Sequence, residues 1–306
     1  MQYSFELLTP QNIYDAAAFV QKHEYRCINL AEQLRLCLFP AYAARYKKAA
    51  AVYAHPQRQS ICCGVLLFSV HGILLHCLDD ELPQEVCEAF ARFFLEPGFA
   101  YSELHAVAGA REHTLLLERL ILQSGALTID AAVDYYLMCR TEPCTASFLE
   151  TARRNMNTDI TVERATDSDL EELFPLQLDY ENTEVAYEGH PIDPAVCRLS
   201  LRARLKDAFI YKLSAGARIT AKAGTNAEGF HWLQIGGVYT LPEYRKRGLA
   251  AAVVAHLINA HCREKHGFAL FVKTENKAAL RVYAKLGFER CGLFRMSYWV
   301  SAKKLG

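Results

Sequence analysis

Two stretches of this chain combine residue types at spacings that suit chemistry. The first is Arg245-Lys246-Arg247-Gly248-Leu249-Ala250, which follows the apolar, β-branched run Ile235 to Tyr239. The run reads as a buried strand, Pro242 stops its pairing, and an Ala-rich helical pattern starts at Gly248. A helix start presents unpaired N–H groups and a partial positive charge. Three cations and a residue without a side chain there suit a pyrophosphate, which must approach the backbone closely. A solvated basic turn between a strand and a helix is the plainer reading of the same residues. The second stretch runs from Asn276 to Phe288. Asn276 suits a helix N-cap, and Tyr283 follows close to two turns later, so Asn276, Ala279 and Tyr283 share one helix face. Ala279 keeps that face low enough for a ligand to lie between the asparagine and the tyrosine. An N-cap and a half-buried core tyrosine are the plainer reading of these residues taken alone.

The elements that must position these residues form a strand–helix–strand unit over residues 231–272, which requires a right-handed crossover. His231 to Tyr239 is its first strand, Leu249 to Lys265 its helix, and Ala269 to Val272 its second strand. A further helix runs from Lys277 to Leu286, and Phe294 to Val300 makes a last strand. Upstream, Ile160 to Arg164 is a strand. Thr166 to Asp169 caps a helix over Leu170 to Leu178, Asp193-Pro194 opens another through Leu205, and strands follow at Phe209 to Leu213 and Ala217 to Ala223. Ala223 to Glu228 reads as a turn. In the first half, residues 3–8 read as a strand and Thr9-Pro10 as a helix start, with helical pattern to about Tyr46. Ile61 to Val70 and Ile73 to Leu78 flank His71-Gly72 as a tight hairpin. Pro83 to Leu95 and Ala110 to Gln123 are helices, and Leu104 to Val107 and Val133 to Cys139 are strands. The two halves share a rough order of elements, which hints at an internal duplication. The expected domains are 1–142, a linker at 143–158 with room for a short helix at Ser147 to Arg154, and 159–306.

Taken together, the two motifs resemble the GNAT superfamily of acyl-CoA-dependent N-acetyltransferases. That family's signature is a Q/R-x-x-G-x-G/A loop after a strand, which Arg245 to Ala250 fits, followed by Asn, Ala residues, Tyr and a Gly-Phe pair, as from Asn276 to Phe288. The resemblance covers about residues 160–300. It implies an α/β fold of two GNAT-like domains, each a mixed, mostly antiparallel sheet flanked by helices, with only the C-terminal copy binding acetyl-CoA. It implies that Val238, Tyr239 and Thr240 pair with the pantetheine arm. The backbone from Lys246 through Gly248, Leu249, Ala250 and Ala251 would hold the pyrophosphate beside Arg245 and Arg247. Asn276 and Ala279 would line the pantetheine, a strand N–H of Val238 or Tyr239 would hold the oxyanion, and Tyr283 would protonate the departing thiolate as general acid. Some members use a strand glutamate as base; the matching position here is Phe271. Glu184, Glu188, His190, His231 and Glu243 remain as candidate bases, acting directly or through a water. Lys277 and Arg281 add weak phosphate contacts. The N-terminal half lacks both motifs and reads as a degenerate GNAT-like domain, with Gly109-Ala110-Arg111 at the strand–helix junction as the expected remnant of a cradle without the basic run.

The acceptor expected is an amine, on a small molecule, a protein lysine or a protein N-terminus. The acidic segment Glu184 to His190 would face it. A non-catalytic acyl-CoA-binding regulatory protein is the alternative. Composition excludes other classes. Over 306 residues, 52% are hydrophobic and 22% charged, so the chain can build sizeable cores. Net charge is zero, and no basic helix is interleaved with aromatics, so nucleic acid is not an expected partner. Residues 1–150 carry 11 basic against 17 acidic side chains, and residues 151–306 carry 23 against 17, so the basic half also holds the basic turn. The eleven cysteines include no C-x-x-C pair and the histidines are scattered, so no metal site is expected. No apolar run is long enough to span a bilayer, and residues 1–10 lack a basic n-region, which predicts a cytoplasmic protein with no membrane partner.

Overall fold

The computed structural model describes residues 1–38, 46–96, 98–186 and 191–302. The chain divides into two units, Met1–Leu137 with Cys291–Gly306, and Met138–Arg290. In chain order the first unit holds β1 (Tyr3–Leu7), α1 (Ile13–Lys22), α2 (Ile28–Cys37), β2 (Tyr46–Ala54), β3 (Ile61–Ser69), β4 (Ile73–Leu78), α3 (Gln84–Leu95), β5 (Ala106–Ala110), α4 (Arg111–Gln123) and most of β6 (Leu127–Arg140). The second holds α5 (Ser147–Met156), β7 (Ile160–Arg164), α6 (Leu170–Tyr180), α7 (Pro194–Asp207), β8 (Ile210–Ala215), β9 (Arg218–Glu228), β10 (Trp232–Thr240), α8 (Leu249–His261), β11 (Gly267–Lys273) and α9 (Lys277–Lys285). The last strand, β12 (Glu289–Ser301), groups with the first unit from Cys291 onward, although residues 159–306 read as one domain in the sequence. It runs antiparallel to β5, with Phe294 opposite Ala110 and Tyr298 opposite Ala106.

Each unit repeats one plan. Antiparallel strands lead to a single parallel pair, and the helix between the parallel strands makes the crossover. In the first unit the strands lie in the order β1-β2-β3-β4-β5-β12 and the parallel pair is β4 with β5. In the second the order is β7-β8-β9-β10-β11 and the pair is β10 with β11. The apolar hairpin expected around His71-Gly72 is present, and Gly72 has φ of +75°, which a residue with a Cβ adopts only under strain.

Several elements differ from the sequence reading for identifiable reasons. The first helix starts at Ile13 rather than at Pro10, because the Asn12 side chain accepts from the Thr9 N–H at 2.7 Å and closes a turn first. Strand β2 went unread. Its Ala-rich sequence shows little strand signal, yet from Ala49 to Ala54 it is buried between β1 and β3, and pairing there overrides propensity. Strand β9 continues through Ala223 to Glu228, where a turn was expected, because its partner β10 pairs it as far as Glu228. The short helix allowed within the expected linker 143–158 is present as α5, but the segment is packed instead of free, since Ala152 is fully buried. The Asn259 side chain binds the Cys144 backbone at both N–H and C=O, at 2.8 and 3.0 Å, so this segment is part of the second unit.

The first core gathers Leu66, Phe68, Leu74, Phe90, Phe94 and Trp299. Arg295 ties β12 down further, since its guanidinium donates to Glu118 at 2.7 Å and Asp134 at 2.9 Å, and the Glu118 side chain is only 5% exposed. Breaking a pair with a buried carboxylate leaves an uncompensated charge. The second core joins Leu170, Leu173, Leu201, Leu205 and Ile219 beneath β8, β9 and β10. Trp299→Ala is expected to destabilise the first unit by about 3–5 kcal/mol. Hydrogen exchange is the check: amides of Ala106–Ala110 lose protection while those of Leu233 and Ile235 keep theirs.

Candidate functional site

The site begins where two strands part. The parallel register of β10 and β11 runs from Trp232 opposite Gly267 to Ile235 opposite Leu270, and among the described residues it goes no further. Beyond that point β10 keeps only its antiparallel partner β9. Even there the register slips, because Gly236 faces Gly224 and Tyr239 faces Lys222, so β10 has one extra residue at Gly237-Val238. That is a β-bulge, which takes a residue out of the ladder and re-aims the backbone. The local sequence requires it. Gly237 has φ of +60°, and a Cβ on Gly236 would sit 2.1 Å from the Asn226 amide. At the end of β10, Thr240 Oγ1 is buried with no hydrogen-bond partner among the described residues.

The basic turn closes this end of the fork. Lys246 and Gly248 both take positive φ, +62° and +88°, and α8 begins at once. The first intrahelical bond runs from the Ala252 N–H to the Gly248 carbonyl, so the N–H groups of Leu249, Ala250 and Ala251 lie ahead of the helical ladder. A Cβ on Gly248 would find nothing nearer than Asn155 at 3.9 Å, so the approach to the backbone is open. Arg245, Lys246 and Arg247 are exposed. The Arg245 side chain donates to the Thr240 carbonyl at 3.1 Å and lies 5.4 Å over the Tyr239 ring; Arg247 lies 5.7 Å over the Tyr244 ring. Helix α5 braces the turn, with Asn155 donating to the Arg247 carbonyl at 3.2 Å. This second support was not legible in the sequence, since it comes from the segment read as a linker.

Asn276 caps α9 as expected, its Oδ1 accepting from the Ala279 N–H at 3.0 Å. Its amide also donates to both Glu184 oxygens at 3.3 Å. Tyr283 is the buried residue of α9, and Phe288 packs edge-on against it at 5.9 Å. Burial first, then Tyr180 and Glu184, push its phenol well above the ordinary tyrosine range. Glu184 comes from a widened helical turn, Glu181–Val185, that continues α6 with i→i+5 bonds; such turns are frequent at functional sites.

Of the other bases considered, Glu243 is occupied by Arg218 at 3.0 Å and His231 precedes the far end of β10. Glu188 and His190 lie outside the described residues. Phe271 is half-buried on β11.

Sequence reasoning missed Gln177, Tyr180 and Lys222. Lys222 is 3% exposed, and its ammonium donates to Gln177 Oε1 at 2.7 Å and to the Gly237 carbonyl at 2.8 Å, with Nζ 4.8 Å over the Tyr180 ring. Burial, reinforced by Arg204, pushes it down to about 7, with Glu181 and Cys197 acting the other way. The available signal was a lysine set between Ala221 and Ala223 in a strand run.

The first unit builds its own fork differently. Its parallel pairing runs from Ile73–Ala106 to Leu75–Ala108, and the next β4 side chain, His76, fills the space beyond, donating to or accepting from Thr114 at 2.8 Å. A Cβ on Gly109 would meet the His76 ring at 2.3 Å. The turn from β4 into α3 reads Asp79-Asp80-Glu81, acidic where the second unit is basic. This turn, and not Gly109-Ala110-Arg111 after β5, is the topological counterpart of the basic turn.

Residues 171–288 match the family model described as acetyltransferase (GNAT) family. No curated protein matches the chain. Among solved structures, a Drosophila protein superposes with a TM-score of 0.63 at 10% identity, covering 96% of this chain and 98% of that one. A GCN5-related N-acetyltransferase from Sphaerobacter thermophilus gives 0.54 at 14% identity, covering 98% of this chain and 96% of its own. A tandem GNAT protein from the clavulanic acid biosynthesis pathway gives 0.54 at 8% identity over 98% and 99%. At these identities the likeness is one of fold, and it extends over both units.

Lys222 carries a pH signature. Its folded value of about 7 lies below its ordinary 10.5, so between those values the unfolded chain holds a proton that the folded chain does not. Stability therefore rises with pH from about 7 to about 10.5, and the contribution is lost below that window. Urea unfolding of wild type and Lys222→Met at pH 7 and pH 9.5 tests this: the wild type gains more stability on going to the higher pH than the variant does.

Proposed function

We propose that the second unit transfers an acetyl group from acetyl-CoA to a primary amine, on a small molecule, a protein lysine or a protein N-terminus. The observation that carries this reading is the fork between β10 and β11, with a bulge at Gly237-Val238 on one side and an open, cation-rich helix start at its end. The residues present fit acetyl-CoA. The N–H groups of Leu249, Ala250 and Ala251, the bare backbone of Gly248 and the side chains of Arg245, Lys246 and Arg247 suit its pyrophosphate. The unpaired hydroxyl of Thr240 and the strand edge at Val238 and Tyr239 suit an extended polar arm laid along the strand. Asn276 and Ala279 border that path on α9, although the Asn276 side chain is already engaged by its cap and by Glu184.

Acetyl-CoA supplies the acyl group as a thioester. The chain supplies position and protons. Val238 or Tyr239 offers a backbone N–H where charge gathers on the acyl oxygen. Tyr283 keeps its proton over the whole working pH range and donates toward the leaving sulfur. Glu184, held by Asn276 beside that phenol, is the base or acceptor-binding carboxylate that the described residues favour. The first unit, with its filled fork and acidic turn, is read as a GNAT-like domain without a cofactor. Among the described residues no helix is long and apolar enough to cross a membrane, and all eleven cysteines are present as thiols, which supports a cytoplasmic location.

Thiol release from acetyl-CoA over a panel of amines tests the reaction, and binding without turnover for every amine favours the non-catalytic alternative. Tyr283→Phe is expected to lower kcat by about 10²-fold. For the cradle, calorimetry on Gly248→Asp is expected to show loss of CoA binding, since the substitution adds a like charge and forces a side chain into positive φ; unaltered affinity overturns the assignment.

A further inference from the structure

Lys222 is a buried amine that the proposed reaction leaves without a role. We infer that Lys222 is a positioning residue that acts through the Gly237–Val238 peptide, aiming and polarising the Val238 N–H that faces the acyl group, an inference that rests on the acetyl-transfer reading of this site.

The argument is geometric. The Gly237 carbonyl and the Val238 N–H belong to one planar trans peptide, so they point in opposite directions. Lys222 Nζ holds that carbonyl at 2.8 Å, and Gln177 of α6 holds Nζ at 2.7 Å. The N–H of Val238 is therefore directed away from the lysine. The bulge gives this peptide the freedom to turn, and the lysine removes it. Gly237 is buried, and a Cβ at that position would lie 3.3 Å from Nζ and 3.8 Å from Arg204. The space behind the peptide is thus filled by cations. A cation at the carbonyl oxygen withdraws charge from the peptide and makes its N–H a stronger donor, as in a hydrogen-bond chain at low dielectric.

Charge on Lys222 is balanced from every side. Arg204 and Cys197 of α7, Tyr180 of α6 and Glu181 of the widened turn all face it, with Glu181 further bound by Gln177 Nε2 at 2.7 Å. Burial and Arg204 favour the neutral amine, whereas Glu181 favours the ammonium. Negative charge gathering on the far side of the peptide favours the ammonium too. A lysine held near its midpoint can gain a proton in response, which a permanently charged or permanently neutral side chain cannot do.

The test uses the full chain and needs no acceptor. Gly-Val occurs twice in the sequence, at Gly64-Val65 and Gly237-Val238. Labelling glycine carbonyls with ¹³C and valine nitrogens with ¹⁵N therefore selects two peptide signals, one in each unit, and the Val65 signal is an internal control. The expected result is a Val238 amide shift that titrates with a midpoint near pH 7 while Val65 stays constant. In Lys222→Met the Val238 titration disappears. A Val238 signal flat from pH 6 to 8 in the wild type overturns the inference whether or not the protein turns over acetyl-CoA. The kinetic counterpart in Lys222→Met is a fall in kcat of about tenfold, smaller than the loss from deleting an oxyanion donor outright, with KM for acetyl-CoA within about twofold. A rise in KM alone is the contrary result. Lys222→Arg, which restores a cation behind the carbonyl, is expected to recover part of kcat.

Discussion

The second unit is organised by the failure of one hydrogen-bonded pairing. Strands β10 and β11 run parallel for four residue pairs, from Trp232–Gly267 to Ile235–Leu270, and then separate. Backbone groups leaving a ladder must find other partners, because a buried and unpaired amide is costly. On one side β9 supplies them, at the cost of a bulge. On the other, β10 presents an edge to whatever enters the fork. A peptide-like or pantetheine-like arm satisfies such an edge as an added strand does. The two glycines at Gly236 and Gly237, the inward lysine on β9 and the short turn at Pro242–Tyr244 shape that stretch of β10 and its exit toward α8.

The two units show how one plan is held open or closed. Both put a helix between two parallel strands, and in both the strands diverge after a few pairs. In the second unit glycines follow the last pair and the helix is entered through Arg245-Lys246-Arg247. In the first, His76 follows the last pair, hydrogen-bonds Thr114 inside the fork and lies against Gly109, while Asp79-Asp80-Glu81 leads into the helix. Anions are drawn to helix starts by the N–H groups and the dipole alone, but carboxylates there oppose a pyrophosphate by direct repulsion. Half of the charge difference between the halves of the sequence sits at these equivalent turns, three of six net charges on each side.

Around the fork, local helix chemistry places the polar groups. Asn276 satisfies a helix start and at the same time fixes Glu184, and Tyr283 follows on the same face two turns later. Glu181 and Glu184 reach the site because α6 continues as a wider turn instead of ending at Tyr180. Desolvation then sorts the ionisable groups: the Tyr283 phenol holds its proton more firmly, and the Lys222 ammonium holds its proton less firmly.

The sequence by itself determined the parts that depend on neighbours in the chain. The strand into the basic turn, the bare glycine at Gly248, the Asn276 cap and the face shared with Tyr283 are short-range facts written in spacing and residue type. Most strands and helices of both halves were legible for the same reason. Tertiary structure decided what depends on pairing across long separations. It turned Tyr46–Ala54, whose alanines carry no strand signal, into a buried strand, and drew α5 out of an expected linker to brace the turn through Asn155. It grouped the last strand with the first unit beside β5, because a strand's partner is chosen by an available edge and a buried face, neither of which is local. It also set Lys222 behind Gly237, since residues on adjacent strands meet only through register, and one bulge decides which carbonyl the lysine meets.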